Sequence, residues 1–250
     1  MKVFASGSCR LLGVLNNGYN IIEPIHSLYY NFVGINFLGK AHNIKQHIQF
    51  IQFIKDDITI PETILKCFLT SYSCLDTDAS KKYIKNYNLP MIDKSMLPEM
   101  KHAIKSQFDD CDTYIFEICS LKLYEKDGFQ VQNELADDYS IRVQTGDELY
   151  ADLEILCSLI PANMKIVLQT HFRPNIIYSD ESKALEKREI IYNTVVKFCH
   201  NRPNTYIYDP SELLQSDHTL FDGDVHFARK GHVRSFEHLC LHYFIKNYDE

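Results

Sequence analysis

The chain has 250 residues, of which 45% are apolar and 24% are charged, as in an ordinary globular protein. These proportions exclude a disordered or collagen-like chain, and the length favours a single domain spanning residues 1–250. The formal net charge of −7 argues against a general nucleic-acid binder, which carries a basic face. No apolar run approaches the roughly 18 residues that span a bilayer, and the N-terminus lacks the apolar core of a signal peptide. We therefore expect a cytoplasmic protein without a membrane span.

Short apolar runs alternate with longer amphipathic segments along the chain. In chain order they predict strands at 2–6 and 31–38, helices at 42–55, 80–87 and 94–107, a strand at 112–119, a helix at 146–159, a strand at 164–169, a helix at 181–200, a strand at 205–208 and a helix at 230–246. Strands separated by helices indicate βαβ units. We therefore expect a three-layer α/β/α sandwich around a mostly parallel sheet of about five strands.

The eight cysteines lie at wide, irregular spacings and include no Cys-x-x-Cys pair. This excludes zinc-ribbon and thioredoxin motifs, and we expect reduced, mostly buried thiols. A metal site would need the fold to bring together residues such as His171, Asp224 and His226, because the chain has no His-Glu-x-x-His motif. A P-loop and a Gly-x-Gly-x-x-Gly motif are also missing from the sequence. We therefore predict neither a metal nor a cofactor.

Ligands of open α/β sheets bind beyond the carboxyl ends of the strands, so the residues that follow each predicted strand are candidates for a site. In strand order these residues are Gly7, Ser8, Cys9 and Arg10, then Gly39 and His42, then Ser120 and Lys122, then His171 and Arg173, and finally Asp222, Asp224 and His226. Polar residues are common in any loop, but their placement after all five strands favours a site at that edge.

The first of these groups has the chemistry of a nucleophile. Gly7 permits a tight turn from a strand into a helix, and the N–H groups and dipole at a helix start favour an anion. A thiol at Cys9 would then ionise more readily and attack faster, and the same N–H groups could hold a developing oxyanion. The alternative is structural: Cys9 is a small buried apolar residue and Ser8 caps the helix.

The last group supplies a base. A carboxylate beside a histidine holds the imidazole in one tautomer and raises its basicity, and either Asp222 or Asp224 could do this for His226. The alternative is a solvated acidic loop that carries a chance histidine.

The remaining candidates are cations near the strand ends. His171 and Arg173 could orient a substrate or bind its carboxylate or phosphate. Alternatively, Arg173 pairs with a surface acid, and Arg10 and Lys122 have equally ordinary structural roles. Glu117 lies inside a predicted apolar strand and, if buried, needs a partner such as Arg10 or Lys122.

Two blocks of the sequence resemble the SGNH/GDSL hydrolase superfamily: Phe-Ala-Ser-Gly-Ser-Cys at 4–9 and Asp-Gly-Asp-Val-His-Phe-Ala-Arg-Lys-Gly-His at 222–232. The Gly-Ser-Cys form is similar to the GSCFA-like and capsule-biosynthesis branches, in which cysteine stands at the place of the usual serine. The resemblance implies a flavodoxin-like, SGNH-type fold, Cys9 as the nucleophile, His226 as the base and a backbone oxyanion donor at Gly39.

Besides Gly-Ser-Cys at 7–9 in place of the usual Gly-Asp-Ser, the chain departs from the family at two further points. The aspartate usually found three residues before the histidine is Gly223 here. The Gly-x-Asn-Asp block after the third strand is replaced by Glu-Ile-Cys-Ser at 117–120, which leaves the family's side-chain oxyanion donor unassigned.

The leading hypothesis is an SGNH-like esterase or acyltransferase acting on an acyl ester of a small molecule or a glycan. Cys9 or Ser8 attacks the carbonyl carbon, His226 moves the proton, and Arg10, His171 and Arg173 position the substrate. One alternative is a catalytically silent α/β binding module in glycan or envelope assembly. Another is a CoA- or nucleotide-dependent transferase. The sequence leaves the oligomeric state open.

Overall fold

The computed structural model describes residues 2–18, 32–33, 41–69, 95–133, 135–173, 182–214, 217–222 and 226–244. In chain order its elements are β1 (Val3–Ser6), α1 (Cys9–Gly18), β2 (Phe32–Val33), α2 (Ile44–Ile54), α3 (Glu62–Phe68), α4 (Leu97–Asp109), β3 (Thr113–Ile118), β4 (Lys122–Lys126), β5 (Phe129–Gln130), β6 (Ser140–Val143), α5 (Gly146–Ser158), β7 (Lys165–Thr170), α6 (Ser182–His200), β8 (Thr205–Tyr208), α7 (Pro210–Leu214), β9 (Phe221–Asp222), β10 (His226–Phe227) and α8 (Arg229–Leu239). A 3-10 turn at His218–Leu220 precedes β9, and a π-helical turn at Cys240–Phe244 follows α8. The prediction of an α/β fold is confirmed.

The main sheet is parallel, and four strands form its body in the order β1-β3-β7-β8. Two residues of β2 pair in parallel with β1 at one edge. The longest pairing joins β3 to β7, from Thr113 opposite Lys165 to Ile118 opposite Thr170. All residues of β1 and β3 are buried, which explains why both read as continuous apolar runs in the sequence.

Apolar clusters cover both faces of this sheet, because side chains alternate along each strand. Phe4 and Leu168 belong to one cluster, which also contains residues of α2, α4, α5 and α6. Val3 and Val167 belong to the other, which contains residues of α1 and α8. Helix α1 therefore shares a face of the sheet with α8, although the two lie at opposite ends of the chain.

The helix predicted at 42–55 illustrates how local signals set an element's bounds. It spans Ile44–Ile54, and Asn43 caps it: the Asn43 side chain accepts from the Gln46 N–H, and the Gln46 side chain accepts from the Asn43 N–H. The strand predicted at 31–38 is described only at Phe32–Val33, and the helix predicted at 80–87 lies outside the described residues.

A small antiparallel sheet, ordered β5-β4-β6, was not expected from the sequence. Strand β6 is exposed at all four residues, although its sequence, Ser-Ile-Arg-Val, alternates polar and apolar residues. None of the described helices is long and apolar enough to cross a membrane.

Candidate functional site

The turn from β1 into α1 runs unusually close to β3. A Cβ atom on Gly7 would lie 2.7 Å from Glu117 Cβ and 2.9 Å from Glu117 Oε2. Real Cβ atoms do not approach other atoms so closely, so space rather than backbone conformation requires glycine here. The tight turn predicted at Gly7 therefore packs directly against the Glu117 side chain.

Glu117 forms a buried polar cluster with this turn. Its side chain is 0% exposed. Oε2 accepts hydrogen bonds from Ser8 N and Ser8 Oγ, both at 2.7 Å, and from Leu11 N at 3.4 Å. Oε1 accepts from Arg10 Nε at 2.8 Å, within a buried ion pair. Arg10 is thus the partner that the sequence requires for a buried Glu117.

This cluster keeps a charge inside the protein. Burial by itself would raise the pKa of the Glu117 carboxyl, but the Arg10 guanidinium and hydrogen bonds from Ser8 and Arg10 hold the pKa below its ordinary value. Glu117 is therefore ionised at neutral pH. Its carboxylate is the anion that lies at the start of α1, where the helix dipole favours negative charge.

The backbone donors at the start of α1 are consequently in use. Ser8 N and Leu11 N point at Glu117, and Arg10 N donates to Ser8 Oγ at 3.3 Å. These three N–H groups are therefore not available to hold an oxyanion, the role that the sequence predicts for the start of this helix. Backbone donors at Cys9 and at Gly39 remain in the hypothesis, and Gly39 lies outside the described residues.

The histidine end of the candidate site is a short hairpin. Strands β9 and β10 pair antiparallel with His226 directly opposite Asp222 and Phe227 opposite Phe221. Asp224 and the rest of 223–225 lie outside the described residues. The register therefore places the backbone of Asp222, one of the two candidate aspartates, alongside that of His226.

Helix α8, which follows this hairpin, packs against α1. A Cβ on Gly13 would overlap the His232 ring, and Leu11, Leu15, Phe236 and Leu239 belong to one buried cluster. Both helices run in the same direction: α1 leaves the carboxyl end of β1, and Lys165 at the amino end of β7 donates to the Tyr243 carbonyl just beyond α8, at 2.6 Å.

Helix geometry then sets the relative level of the two helix starts. Cys9 lies four residues before Gly13, and Arg229 lies three residues before His232. At a rise of 1.5 Å per residue these are axial distances of about 6 Å and about 4.5 Å. Because Gly13 meets His232, the backbone of Cys9 and that of Arg229, just after the strand carrying His226, lie at the same end of the sheet, at similar heights.

Beneath the turn, His47 links α2 to two strands. Its Nδ1 lies 2.9 Å from Ser6 Oγ and its Nε2 lies 2.9 Å from the Glu117 carbonyl oxygen. Burial lowers the pKa of His47 to about 4, so the ring is neutral at neutral pH. A carbonyl only accepts, so Nε2 carries the proton and Nδ1 accepts from the Ser6 hydroxyl. The sequence feature that indicates this buried link is a lone histidine among Ile44, Ile48 and Ile51 on an apolar helix face.

Two further polar side chains at the carboxyl edge were missed from the sequence. Gln169 and Thr170 end β7, and both are buried. Within the part of the chain that the structure describes, neither the Gln169 amide nor the Thr170 hydroxyl has a hydrogen-bond partner. The register places Gln169 next to Glu117 on the neighbouring strand.

Arg173 is engaged with other side chains of the protein. It pairs with Asp209 and Glu189, and its guanidinium lies 3.5 Å from the centre of the Tyr192 ring. This supports the structural alternative for Arg173 over a role in positioning substrate. His171, which precedes it by two residues, is buried with Nδ1 2.9 Å from the Phe172 carbonyl oxygen.

The candidates after β2 and β3 also lie near one another. The His42 carbonyl accepts from Cys119 N at 3.1 Å and from Cys119 Sγ at 3.3 Å, so the segment just before α2 is joined there to the end of β3. Ser120 Oγ accepts from Lys122 N at 3.0 Å, and the Lys122 side chain is exposed at the start of β4. Over the described residues there is no group of three or more His, Cys, Asp or Glu that could hold a metal ion.

No protein-family model matches this chain, and no curated protein matches it. Its function must therefore be inferred from the residues and their geometry.

Proposed function

We propose that this protein is an SGNH-like enzyme that acts on an acyl ester, by hydrolysis or by acyl transfer to an acceptor such as a glycan hydroxyl. The observation that supports this most strongly is the parallel packing of α1 against α8, which brings the Cys9 turn and the His226 strand to one end of the sheet. The proposal includes a flavodoxin-like, three-layer sandwich in which β2 is the fifth strand of the sheet.

The proposed reaction has two steps. The Cys9 sulfur attacks the carbonyl carbon and forms an S–C bond while His226 takes the thiol proton. Collapse of the intermediate breaks the ester C–O bond, and His226 returns the proton to the leaving alcohol. Water or an acceptor hydroxyl then attacks the thioester, giving up its proton to His226, and the thiol leaves with that proton restored.

The geometry at Glu117 supports Cys9 rather than Ser8 as the nucleophile. The Ser8 hydroxyl is fully buried and donates to the Glu117 carboxylate. That carboxylate has a pKa below its ordinary value and is a poor base for removing a hydroxyl proton. Ser8 therefore builds the turn, and Cys9, the next residue, carries the reactive group.

The hairpin register supports Asp222 as the residue that orients His226. Residues directly opposite each other in an antiparallel pair have Cβ atoms about 4.5–5.5 Å apart, within the reach of a carboxylate. Asp222 holds that position relative to His226.

Intact-mass spectrometry after treatment with an activated acyl ester tests the proposal. The wild-type protein is expected to gain one acyl group, located on Cys9 by peptide mapping. Cys9→Ala abolishes this gain, and His226→Gln slows it about 100-fold or more, the typical contribution of a general base. Cys67→Ser is the matched control: this half-buried thiol lies in α3, and burial raises its pKa. Acylation that persists in Cys9→Ala would refute the assignment.

The engaged N–H groups at the start of α1 favour a second candidate, a catalytically silent binding module. Such a module has no need of oxyanion donors, and three of them are already bonded within the protein. It predicts that Cys9 reacts with iodoacetamide no faster than glutathione does at the same neutral pH. A Cys9 reaction more than about tenfold faster would exclude it, because an activated thiol is one that ionises more readily.

A further inference from the structure

Gln169, at the carboxyl end of β7, carries a buried amide that lacks a hydrogen-bond partner in the described part of the chain. The residue is 0% exposed, and both Oε1 and Nε2 lack a partner among the residues that the structure describes. Burying an unsatisfied polar group costs folding free energy, and native proteins contain few of them. Its place at the carboxyl end of a parallel strand points to a group that the amide meets during function.

The polar side chains on either side of Gln169 are satisfied, which makes the contrast informative. On β3, Glu117 accepts from Ser8 and Arg10. On β8, the Tyr208 hydroxyl lies 2.6 Å from Ser235 Oγ. The strand register places Gln169 between Glu117 and Tyr208.

This position faces α1, which begins at the proposed nucleophile, and α8, which follows the hairpin that carries the proposed base. Glu117, one strand spacing of roughly 4.8 Å away, contacts the first turn of α1. Tyr208, one strand away on the other side, contacts α8 through Ser235. Gln169 is two residues beyond Val167, so it lies on the face of the sheet that α1 and α8 cover, between the strand that contacts α1 and the strand that contacts α8.

We infer that Gln169 Nε2 donates a hydrogen bond to the carbonyl oxygen of the acyl substrate, as an oxyanion donor that acts while Cys9 attacks. This inference rests on the proposed function. Gln169 would serve as the side-chain oxyanion donor, which was left unassigned because Glu-Ile-Cys-Ser at 117–120 replaces the Gly-x-Asn-Asp block. It would also replace the backbone N–H donors that are already bonded to Glu117. Because the amide is enclosed in this structure, the substrate oxygen reaches it only after surrounding atoms shift.

The test compares two reactions of the same thiol in wild type and Gln169→Met. Acylation of Cys9 by an activated ester develops an oxyanion, whereas alkylation by iodoacetamide does not. Methionine keeps the length of the side chain and removes the amide, with both its carbonyl oxygen and its NH2 group. We expect acylation to slow by about 100-fold, the usual effect of losing one oxyanion donor, while alkylation keeps its wild-type rate.

Thr170→Val is the matched control. Thr170 is the next residue, and its buried hydroxyl likewise has no partner within the described part of the chain, but it faces the opposite side of the sheet. Its acylation rate is expected to match wild type. If Gln169→Met fails to fold, Gln169→Asn keeps an amide but withdraws it by one methylene, and it should also lose acylation while alkylation is retained.

The outcomes separate this inference from the function on which it rests. Wild-type acylation at Cys9 together with an unchanged rate in Gln169→Met overturns the role of Gln169 and leaves the proposed function standing. Equal loss of acylation and alkylation also overturns it, because the residue then acts on the thiol itself. Failure of wild-type Cys9 to acylate overturns both proposals.

Discussion

Replacing Arg10 with methionine removes the positive charge that faces a buried carboxylate. The Glu117 side chain is 0% exposed and that of Arg10 is 8% exposed, with Nε and Oε1 2.8 Å apart. Breaking such a pair by removing one partner costs about 3–5 kcal/mol, since the other charge stays buried. Ser8 and Leu11 continue to donate to Glu117 in the variant. We therefore expect a loss of about 3 kcal/mol in the free energy of unfolding at neutral pH.

The loss from Arg10→Met should also depend on pH. In the wild type, burial opposes ionisation, but Arg10 and Ser8 hold the Glu117 pKa below its ordinary value of 4.5. This contribution to stability is present above the ordinary pKa and is lost as pH falls through the lowered one. Without Arg10 we expect burial to dominate and to place the pKa above the ordinary value. Protonation then relieves the buried charge, so the gap between wild type and variant narrows as pH falls.

Urea unfolding followed by circular dichroism measures both effects, since the chain has no tryptophan to report by fluorescence. The control is Arg234→Met, because Arg234 forms a 3.0 Å pair with Glu237 in which the side chains are 65% and 29% exposed. That pair should contribute less than about 1 kcal/mol. A loss in Arg10→Met no larger than in the control, or a gap that widens in acid, would refute the reasoning about Glu117.

Three further substitutions test the surroundings of the site by the same unfolding assay. Gly7→Ala forces a Cβ to within 2.7 Å of Glu117 Cβ and should cost about 1–3 kcal/mol; an unchanged midpoint would contradict that close approach. Asn43→Ala removes the N-cap of α2 and should cost about 1 kcal/mol, with an unchanged m-value. The pKa of His47 is about 4 in the native protein and about 6.5 when it is unfolded. The free energy of unfolding therefore decreases as pH is lowered from about 6.5 to about 4. In His47→Leu the free energy of unfolding should depend less on pH in that range. An equal pH dependence in both proteins would contradict a neutral, buried His47.

The sequence predicts the main sheet well because buried parallel strands leave a strong local signal. The strands at Thr113–Ile118 and Lys165–Thr170 are almost wholly buried runs that contain β-branched residues, and their predicted bounds differ from the structure by one residue at either end. The antiparallel sheet was missed because its strands are short: β5 has two residues, and β6 has four exposed residues whose alternation of polar and apolar types is at the lower limit of a strand signal.

The sequence indicates which residues follow each strand but not the bonds among them. The rule that ligands bind beyond the strand ends selects Ser8, Arg10 and their neighbours, and the requirement for a partner to Glu117 correctly includes Arg10. Ser8 N and Leu11 N at the start of α1 are bonded to Glu117 on β3. Local sequence cannot show this, because Glu117 is 109 residues from Ser8 along the chain. Gln169 gave no local signal, because a glutamine at a strand end is equally consistent with solvent exposure.

The buried carboxylate determines how a reactive cysteine could operate at this turn. A negative charge at the start of α1 would by itself disfavour a thiolate at the neighbouring Cys9, since like charges repel most strongly where water is excluded. Arg10 cancels that charge through its 2.8 Å bond to Glu117. The pair therefore lets Glu117 fix the turn through Ser8 and Leu11 without leaving a net charge beside Cys9. Under the proposed function, the backbone donors that fix the turn cannot also hold an oxyanion, and Gln169, on the strand next to Glu117, is the inferred additional donor.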